Sequence, residues 1–196
     1  MPDPEPILTA AEVREKAARY MALPDTEYPD SDIDDLVSEF REVFIDYRGV
    51  APTPTETTEV VTSRTSKLIL RWPEVTTLTS VTVNGTELDA DTLTLDSSNR
   101  IITYSGSFSP SYPATVVYVH GLAVVPGILQ RATVRYVCAV LKSEASGTGR
   151  DVLTQNIDGA TTRYSTPDKA AGRPTGWLEV DRLLNSLTDY RVPGIA

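Results

Sequence analysis

Two side chains could do nucleophilic or acid–base chemistry, and each of them stands alone. The 196-residue chain has one histidine, His120, and one cysteine, Cys138. Catalytic triads and most transition-metal sites combine histidine with further partners. His120 lies where a β-branched run meets Gly121, which is typical of a turn histidine bonded to backbone. Cys138 falls inside an apolar helical pattern, as a small buried hydrophobe does. The two residues therefore predict no enzyme.

Two other clusters could bind ions or phosphate, and neither has the required spacing. Asp30, Asp32, Asp34 and Asp35 would begin a calcium loop, but an EF-hand needs glycine at its sixth position, where this chain has Asp35. Carboxylates at the positive end of a helix dipole are the better interpretation. Ser146–Asp151 contains two glycines but no Lys-Ser/Thr pair, so it is no phosphate loop. No metal, cofactor or catalytic residue is predicted.

The charge of the chain limits its partners. The formal net charge is −9 and the sequence pI is about 4.6. Tight nucleic-acid binding requires Lys and Arg that displace counterions from phosphate, so an acidic chain can surround DNA without holding it. A lone cysteine allows no disulfide within the chain. Without a signal peptide or an apolar stretch of membrane-spanning length, we expect synthesis in a reducing cytosol.

Helical periodicity marks the N-terminal part and the middle of the chain. Thr9-x-x-Glu12 is a capping-box pattern that opens a short helix reaching about Met21. Ser31-x-x-Asp34 resembles a second cap, and the amphipathic helix that follows ends at Gly49. The centre of the chain is Val116–Leu141, a short strand followed by a helix that Pro126 opens and that is apolar on nearly every side. An all-round apolar helix belongs in a core.

Residues 56–119 change to a strand composition rich in Thr and Val. Asn84-Gly85 is the strongest hairpin signal because both residues tolerate the positive φ of a type I′ turn. We predict a small antiparallel β insert with these strands: Glu59–Thr62, Leu68–Trp72, Ser80–Val83, Glu87–Asp89, Leu93–Leu95, Ile101–Tyr104 and Thr115–Val119.

The last third has little periodicity and a distinctive composition. Residues 150–176 show no clear period, and a helix follows at about 177–188. Arg and aromatic residues, which are enriched at the centres of protein contacts, concentrate here: Arg163, Tyr164, Arg173, Trp177, Tyr190 and Arg191. The predicted fold class is α+β. Residues 1–55 and 120–149 form a helical core, residues 56–119 form the β insert, and residues 150–196 form an extended C-terminal arm. The arm contains the short helix at about 177–188, which brings the number of helices to about four.

Several motifs, in order, resemble the head-to-tail adaptor (connector) proteins of long-tailed bacteriophages, particularly those of actinobacteria. The likeness covers about residues 30–196 and is weakest over the insert. The motifs are Tyr47-Arg48-Gly49-Val50-Ala51, Tyr118-Val119-His120-Gly121, Val125-Pro126, Thr162-Arg163-Tyr164-Ser165-Thr166-Pro167-Asp168, Gly172-Arg173-Pro174-Thr175-Gly176-Trp177 with Leu178-Glu179-Val180-Asp181, and Tyr190-Arg191-Val192-Pro193.

The resemblance implies a structural virion protein without enzymatic activity. Such proteins form a ring, commonly of twelve copies, beneath the portal vertex, and connect the packaged head to the next neck or tail component. Genomic DNA leaves through the lumen without specific binding. The implied partners are the portal protein, neighbouring copies and the next neck protein, and no membrane; assembly takes place in the host cytoplasm. Asp181, Val192 and Pro193 join the candidate interface through these motifs.

Three alternatives stay open at the level of the sequence. Another neck component, such as a stopper or tail terminator, is expected to be mainly β, which the predicted helices disfavour. An adhesive module would bind a ligand through the β insert. A hydrolase would depend on His120.

Overall fold

A computed structural model describes residues 5–63, 65–96, 99–145, 154–157, 160–163 and 174–187. In this part of the chain the α-helices and antiparallel strands confirm the predicted α+β class. The helices are α1 Ala10–Ala17, α2 Asp30–Arg48, α3 Gly127–Ala145 and α4 Leu178–Ser186. The strands are β1 Thr55–Val61, β2 Lys67–Ile69, β3 Val75–Val83, β4 Thr86–Glu87, β5 Leu93–Leu95, β6 Ile101–Tyr104, β7 Ala114–His120, β8 Thr154–Ile157 and β9 Ala160–Arg163.

Internal contacts divide the described residues into two units. The β unit consists of Glu5 and the described residues in Arg48–Val124. The helical unit consists of the described residues in Pro6–Tyr47 and Val125–Tyr190. None of the described helices has the length and apolar character needed to cross a bilayer.

The β unit holds a four-stranded sheet in the order β1-β7-β3-β4 and a three-stranded sheet in the order β2-β6-β5. β7 pairs on both sides, from Thr55 opposite His120 on one edge to Val83 opposite Ala114 on the other. Its residues alternate between buried and half-buried, as expected for a central strand whose side chains point to opposite faces. The buried apolar residues of β7, with Leu68 and Ile102 from the smaller sheet and Leu70 just after β2, belong to one apolar core.

Two turns define the ends of elements in the β unit. Asn84 and Gly85 have φ of 50° and 75°, which confirms the predicted hairpin turn between β3 and β4. β3 is longer than predicted and begins at Val75, directly after Glu74, whose φ is 57°. The sequence did not predict this start, because Pro73 is typical of a turn or loop.

The two ends of the β unit lie side by side. Leu122 N–H donates to the Ala51 carbonyl oxygen at 3.0 Å. Gly121 has φ of 107°, and a Cβ there would lie 2.5 Å from the Thr53 carbonyl oxygen. Only glycine fits both the backbone conformation and this close approach. The chain therefore enters and leaves the β unit at neighbouring points.

The helical unit begins with the predicted capping box. Thr9 Oγ1 accepts from Glu12 N–H, and the Glu12 carboxylate accepts from Thr9 N–H at 2.9 Å. The predicted Ser31 cap of α2 is wrong. The helix starts at Asp30, the Pro29 carbonyl oxygen accepts from Asp32 N–H at 3.1 Å, and Ser31 Oγ donates to Asp32 instead.

The core of the helical unit lies along one face of α2 and most of α3. Ile33, Val37, Phe40 and Phe44 recur every three or four residues on α2 and are almost completely buried. Phe40 contacts Tyr136 of α3 with ring centroids 5.2 Å apart, a pair worth about 0.5–1.5 kcal/mol beyond area burial. The predicted apolar helix therefore lies in a core, and it extends four residues beyond its predicted end.

The C-terminal part contains elements that periodicity both found and missed. α4 occupies most of the helix predicted at 177–188, with Trp177 at its N-cap. β8 and β9 pair antiparallel from Thr154 opposite Arg163 to Ile157 opposite Ala160. This hairpin falls where no period was visible.

Candidate protein interface

The structure brings two of the predicted interface side chains together. Trp177 is the N-cap of α4, and Asp181 lies one turn further on, its N–H donating to the Trp177 carbonyl oxygen at 2.8 Å. Arg163 is the last residue of β9, described as backbone alone. The other predicted residues lie outside the described part of the chain: Tyr164, Arg173, Tyr190, Arg191, Val192 and Pro193.

Asp181 is an internal brace rather than an exposed contact. Asp181 is 1% exposed to solvent. Oδ1 accepts from Thr175 N–H at 3.0 Å and from Thr175 Oγ1 at 2.7 Å, and Thr175 Oγ1 in turn accepts from Trp177 N–H at 3.1 Å. Gly176, with φ of 78°, closes the turn between them. The carboxylate thus fixes the turn that places the Trp177 ring, and any effect on a partner is indirect.

Two polar atoms in this turn are buried without a partner among the described residues. They are Asp181 Oδ2, an acceptor, and Trp177 Nε1, a donor. An unsatisfied buried polar group costs about 1–3 kcal/mol. A further group that supplied a donor to Asp181 Oδ2 and an acceptor to Trp177 Nε1 would satisfy both atoms.

A groove of about 420 Å³ separates α3 from the start of α4. Arg135 is one of its lining residues. The Arg135 guanidinium lies 3.9 Å from the Tyr20 ring centroid and binds Glu179 at 2.8 Å. Leu178, 49% exposed, forms part of the apolar rim. The groove combines aromatic, apolar and charged groups, a composition typical of protein contacts.

A second groove, of about 300 Å³, lies between α1 and α3 and shares Tyr20 with the first. Its cationic side chains are Lys16, Arg19 and Arg131, and all three are exposed. Lys142 is exposed beside the first groove. None of these four takes part in an ion pair within the described residues, although the chain carries a net charge of −9.

This basic surface was missed from the sequence. In the sequence, Arg131 and Arg135 interrupt an otherwise apolar run. The available signal was spacing: Arg131, Arg135 and Lys142 are separated by four and seven residues, so they share one face of α3. The α1 contribution could not be seen because it depends on tertiary packing.

The lone cysteine, Cys138, lines the groove between α3 and α4, and its thiol is buried. Cys138 is 5% exposed. Burial raises the pKa of the Cys138 thiol, against smaller opposite effects of Lys142 and Arg135. The reactive thiolate is therefore disfavoured.

His120 has a structural environment in the β unit. It is 2% exposed, its Nε2 lies 3.0 Å from Thr57 Oγ1, and its ring stacks on Trp72 with centroids 4.9 Å apart and an angle of 6°. A catalytic base must reach its substrate, which an enclosed and stacked ring cannot do. The contact with Thr57 gives the ring a side-chain partner on β1.

A part-buried hydrogen bond lies near this histidine. Tyr118 Oη donates to Glu59 Oε2 at 2.7 Å, and the same carboxylate oxygen accepts from Arg71 N–H at 3.0 Å. Desolvation raises the pKa of the Tyr118 phenol far above its usual value, and the Glu59 carboxylate raises it further. The pair connects β1 to β7 within the sheet.

Comparisons with known proteins give a likeness in fold. No protein-family model matches the chain, and no curated protein matches it. Among solved structures it is similar to a chain in the neck of an empty GTA particle computed with C6 symmetry, with a TM-score of 0.60 and 16% sequence identity. The likeness covers 97% of this chain and 92% of that one. It shows a shared fold over nearly the full length of both.

Proposed function

We propose that this chain is a structural neck protein of a phage-like particle, and specifically a head-to-tail adaptor. The observation that carries the proposal is the near-complete coverage of both chains in the fold comparison with the neck of a GTA (gene transfer agent) particle. The motif resemblance to phage adaptors points independently to the same class.

The proposed assembly is a ring of twelve copies beneath the portal vertex. A ring requires heterologous contacts, in which one face of a subunit meets a different face of the next. The C6 symmetry reported for the neck that contains the similar chain is compatible with six or twelve copies in that particle. In this protein the ring connects the packaged head to the next neck or tail component.

The proposed contacts with the portal and with adjacent copies involve the C-terminal arm. Of the candidate residues, Trp177 offers a half-buried aromatic ring beside the groove, and Asp181 holds the turn that carries it. Arg163, Tyr164, Arg173, Tyr190, Arg191, Val192 and Pro193 complete the proposed set. Arg and aromatic side chains are the usual sources of binding energy at such contacts.

The protein acts in this proposal by shape and not by catalysis. The enclosed His120 and the unreactive Cys138 are consistent with such a role. A net charge of −9 suits a channel through which DNA slides, because like charge disfavours adhesion. Screening limits this effect to about 8–10 Å at cellular salt, so it acts only near the wall.

Removal of Tyr190–Ala196 tests the proposal in a system that produces particles. The truncated protein should fold, with the helix content of the full chain in circular dichroism, and should fail to join DNA-filled heads. Tail-less heads should then accumulate in electron micrographs. The control is Glu87→Lys, an exposed change on the short strand β4. Normal particle yield from cells making only the truncated chain would contradict the arm assignment.

Loss of the whole protein tests the broader claim. Particles made without it should stop at the head-to-tail joint, and labelled protein should be found at the neck of complete particles. Complete particles without it, or label elsewhere on the particle, would overturn the neck role itself.

A further inference from the structure

The helical unit carries two stripes of opposite charge with the same spacing. The acidic stripe on α2 consists of Asp35, Glu39, Glu42 and Asp46, all exposed. It lies opposite the buried face of that helix, because each member is two residues, about 200°, beyond one of the core positions.

The basic stripe on α3 repeats this arrangement. Arg131, Arg135, Cys138 and Lys142 are separated by four, three and four residues, as the four acidic positions are. Three of these four positions are cationic, and each stripe spans about 16 Å at 1.5 Å per residue. The spacing reads the same in both directions, so the two stripes match whether the helices run parallel or antiparallel.

The basic stripe lies in a surface that can receive a second helix. Arg131 lines the groove beside α1, to which Lys16 and Arg19 add positive charge and Glu15 adds one negative charge. The other three members of the stripe line the groove beside α4. Arg135 is already bound to Glu179, but Arg131 and Lys142 take part in no ion pair within the described residues. The outer ends of the stripe are therefore the groups left for a partner.

We propose that the basic stripe of one copy receives the acidic α2 stripe of a second copy. This inference rests on the proposed ring, and it names the pair of faces through which neighbours meet. Charge complementarity selects this occupant: an acidic chain with one basic face and a matching acidic face can pair with itself. The two faces are different surfaces, so the contact is heterologous and can repeat around a ring.

The test reverses the outer members of each stripe in the full chain. Asp35→Lys/Asp46→Lys makes the outer members of both stripes positive, and Arg131→Glu/Lys142→Glu makes the outer members of both stripes negative. The side chains of these four residues make no hydrogen bond or ion pair among the described residues, so the reversals remove no such bond from the folded unit. Self-association is measured by sedimentation velocity over a wide concentration range, at low and at physiological salt.

We expect wild-type protein to self-associate more strongly at low salt. Each double variant alone should associate at least about tenfold more weakly, since two attractions become two repulsions. An equal mixture of the two variants should recover association by alternating around the assembly. The fourfold variant, in which the outer members of both stripes are reversed, should also recover it, and its net charge equals that of wild type.

Other outcomes would overturn the proposal. Wild-type protein that stays monomeric at low salt would show that the stripes do not hold two copies together. Double variants that associate as well as wild type would assign the contact to another surface. Failure of both the mixture and the fourfold variant to recover association would show that charge pairing is not the cause. Binding of duplex DNA that depends on Arg131 and Lys142, without self-association, would assign the basic face to phosphate.

The failure of this inference is distinguishable from failure of the proposed function. A chain found at particle necks whose stripes do not pair is a neck protein with a different subunit contact. A chain whose stripes pair but which is absent from necks assembles as proposed here and serves another role. The matched control is Glu56→Lys/Glu87→Lys in the β unit, which adds the same charge as the α2 variant and should leave association unchanged.

Discussion

The hydrogen bond between Tyr118 and Glu59 predicts an unusual dependence of stability on pH. Tyr118→Phe removes the hydroxyl group and keeps the aromatic ring in the core of the β unit. A hydrogen bond to an ionised acceptor contributes about 1.5–3 kcal/mol. Because Glu59 keeps the Arg71 N–H as a donor, we expect the lower end, a loss of about 1.5 kcal/mol at pH 7.

This loss should diminish at high pH. In the folded wild type the pKa of Tyr118 is raised, so the phenol stays protonated where the unfolded chain ionises. The folded state then binds more protons, and wild-type stability falls as pH rises above about 10, by up to ~1.4 kcal/mol per pH unit. The Phe variant has no such group. The deficit of about 1.5 kcal/mol should therefore nearly close by about pH 11.

Urea unfolding monitored by tryptophan fluorescence measures this directly. Trp177→Phe provides the background, so that Trp72, stacked on His120, reports on the β unit alone. Tyr112→Phe, at a half-exposed position, is the matched control and should change stability by less than about 0.5 kcal/mol at pH 7. A deficit that stays constant from pH 7 to pH 11 would refute the assignment of a raised pKa to Tyr118.

Three further predictions concern glycine, a buried turn and the thiol. Gly121→Ala should destabilise the β unit by more than ~2 kcal/mol in urea unfolding, since its Cβ would meet a carbonyl oxygen at 2.5 Å, whereas Gly127→Ala, with open space at its Cβ, should be neutral or mildly stabilising. Asp181→Asn and Thr175→Val should each cost ~1–3 kcal/mol, and a double-mutant cycle should show strong coupling; additive losses would contradict the direct bond. Cys138 should react with a thiol reagent at least about tenfold more slowly in the folded protein than in urea at pH 8; equal rates would contradict its burial.

The sequence predicted those elements whose signals are local. The capping box at Thr9, the apolar spacing of α2 and the turn at Asn84-Gly85 each require only a few consecutive residues, and each appears in the structure. The start of β3 was missed because Glu74 adopts a left-handed conformation that its residue type rarely takes. The β8–β9 hairpin was missed because Thr, Gln and Asn give no alternation of apolar and polar residues.

The candidate interface was predictable in composition and not in arrangement. The Arg and aromatic content predicted an interface in the C-terminal third of the chain, where Trp177 lines a groove. The role of Asp181 depends on a turn that returns the chain to Thr175, and no residue spacing indicates that bond. The basic surface depends on α1 packing beside α3, a tertiary contact that only the folded chain displays.

The adjacency of Ala51 and Leu122 has a consequence for how such a protein can change over time. A body whose entrance and exit coincide can be excised, exchanged or enlarged as a cassette, because the remaining chain needs only a short bridge to reconnect. Gene segments encoding 48–124 could therefore be traded between lineages while the surrounding helices stay constant. The corresponding experiment deletes residues 48–124 and joins the remaining chain through a short glycine-containing linker. Because the two ends of the β unit are adjacent, residues 48–124 are also a candidate for production as an independent polypeptide.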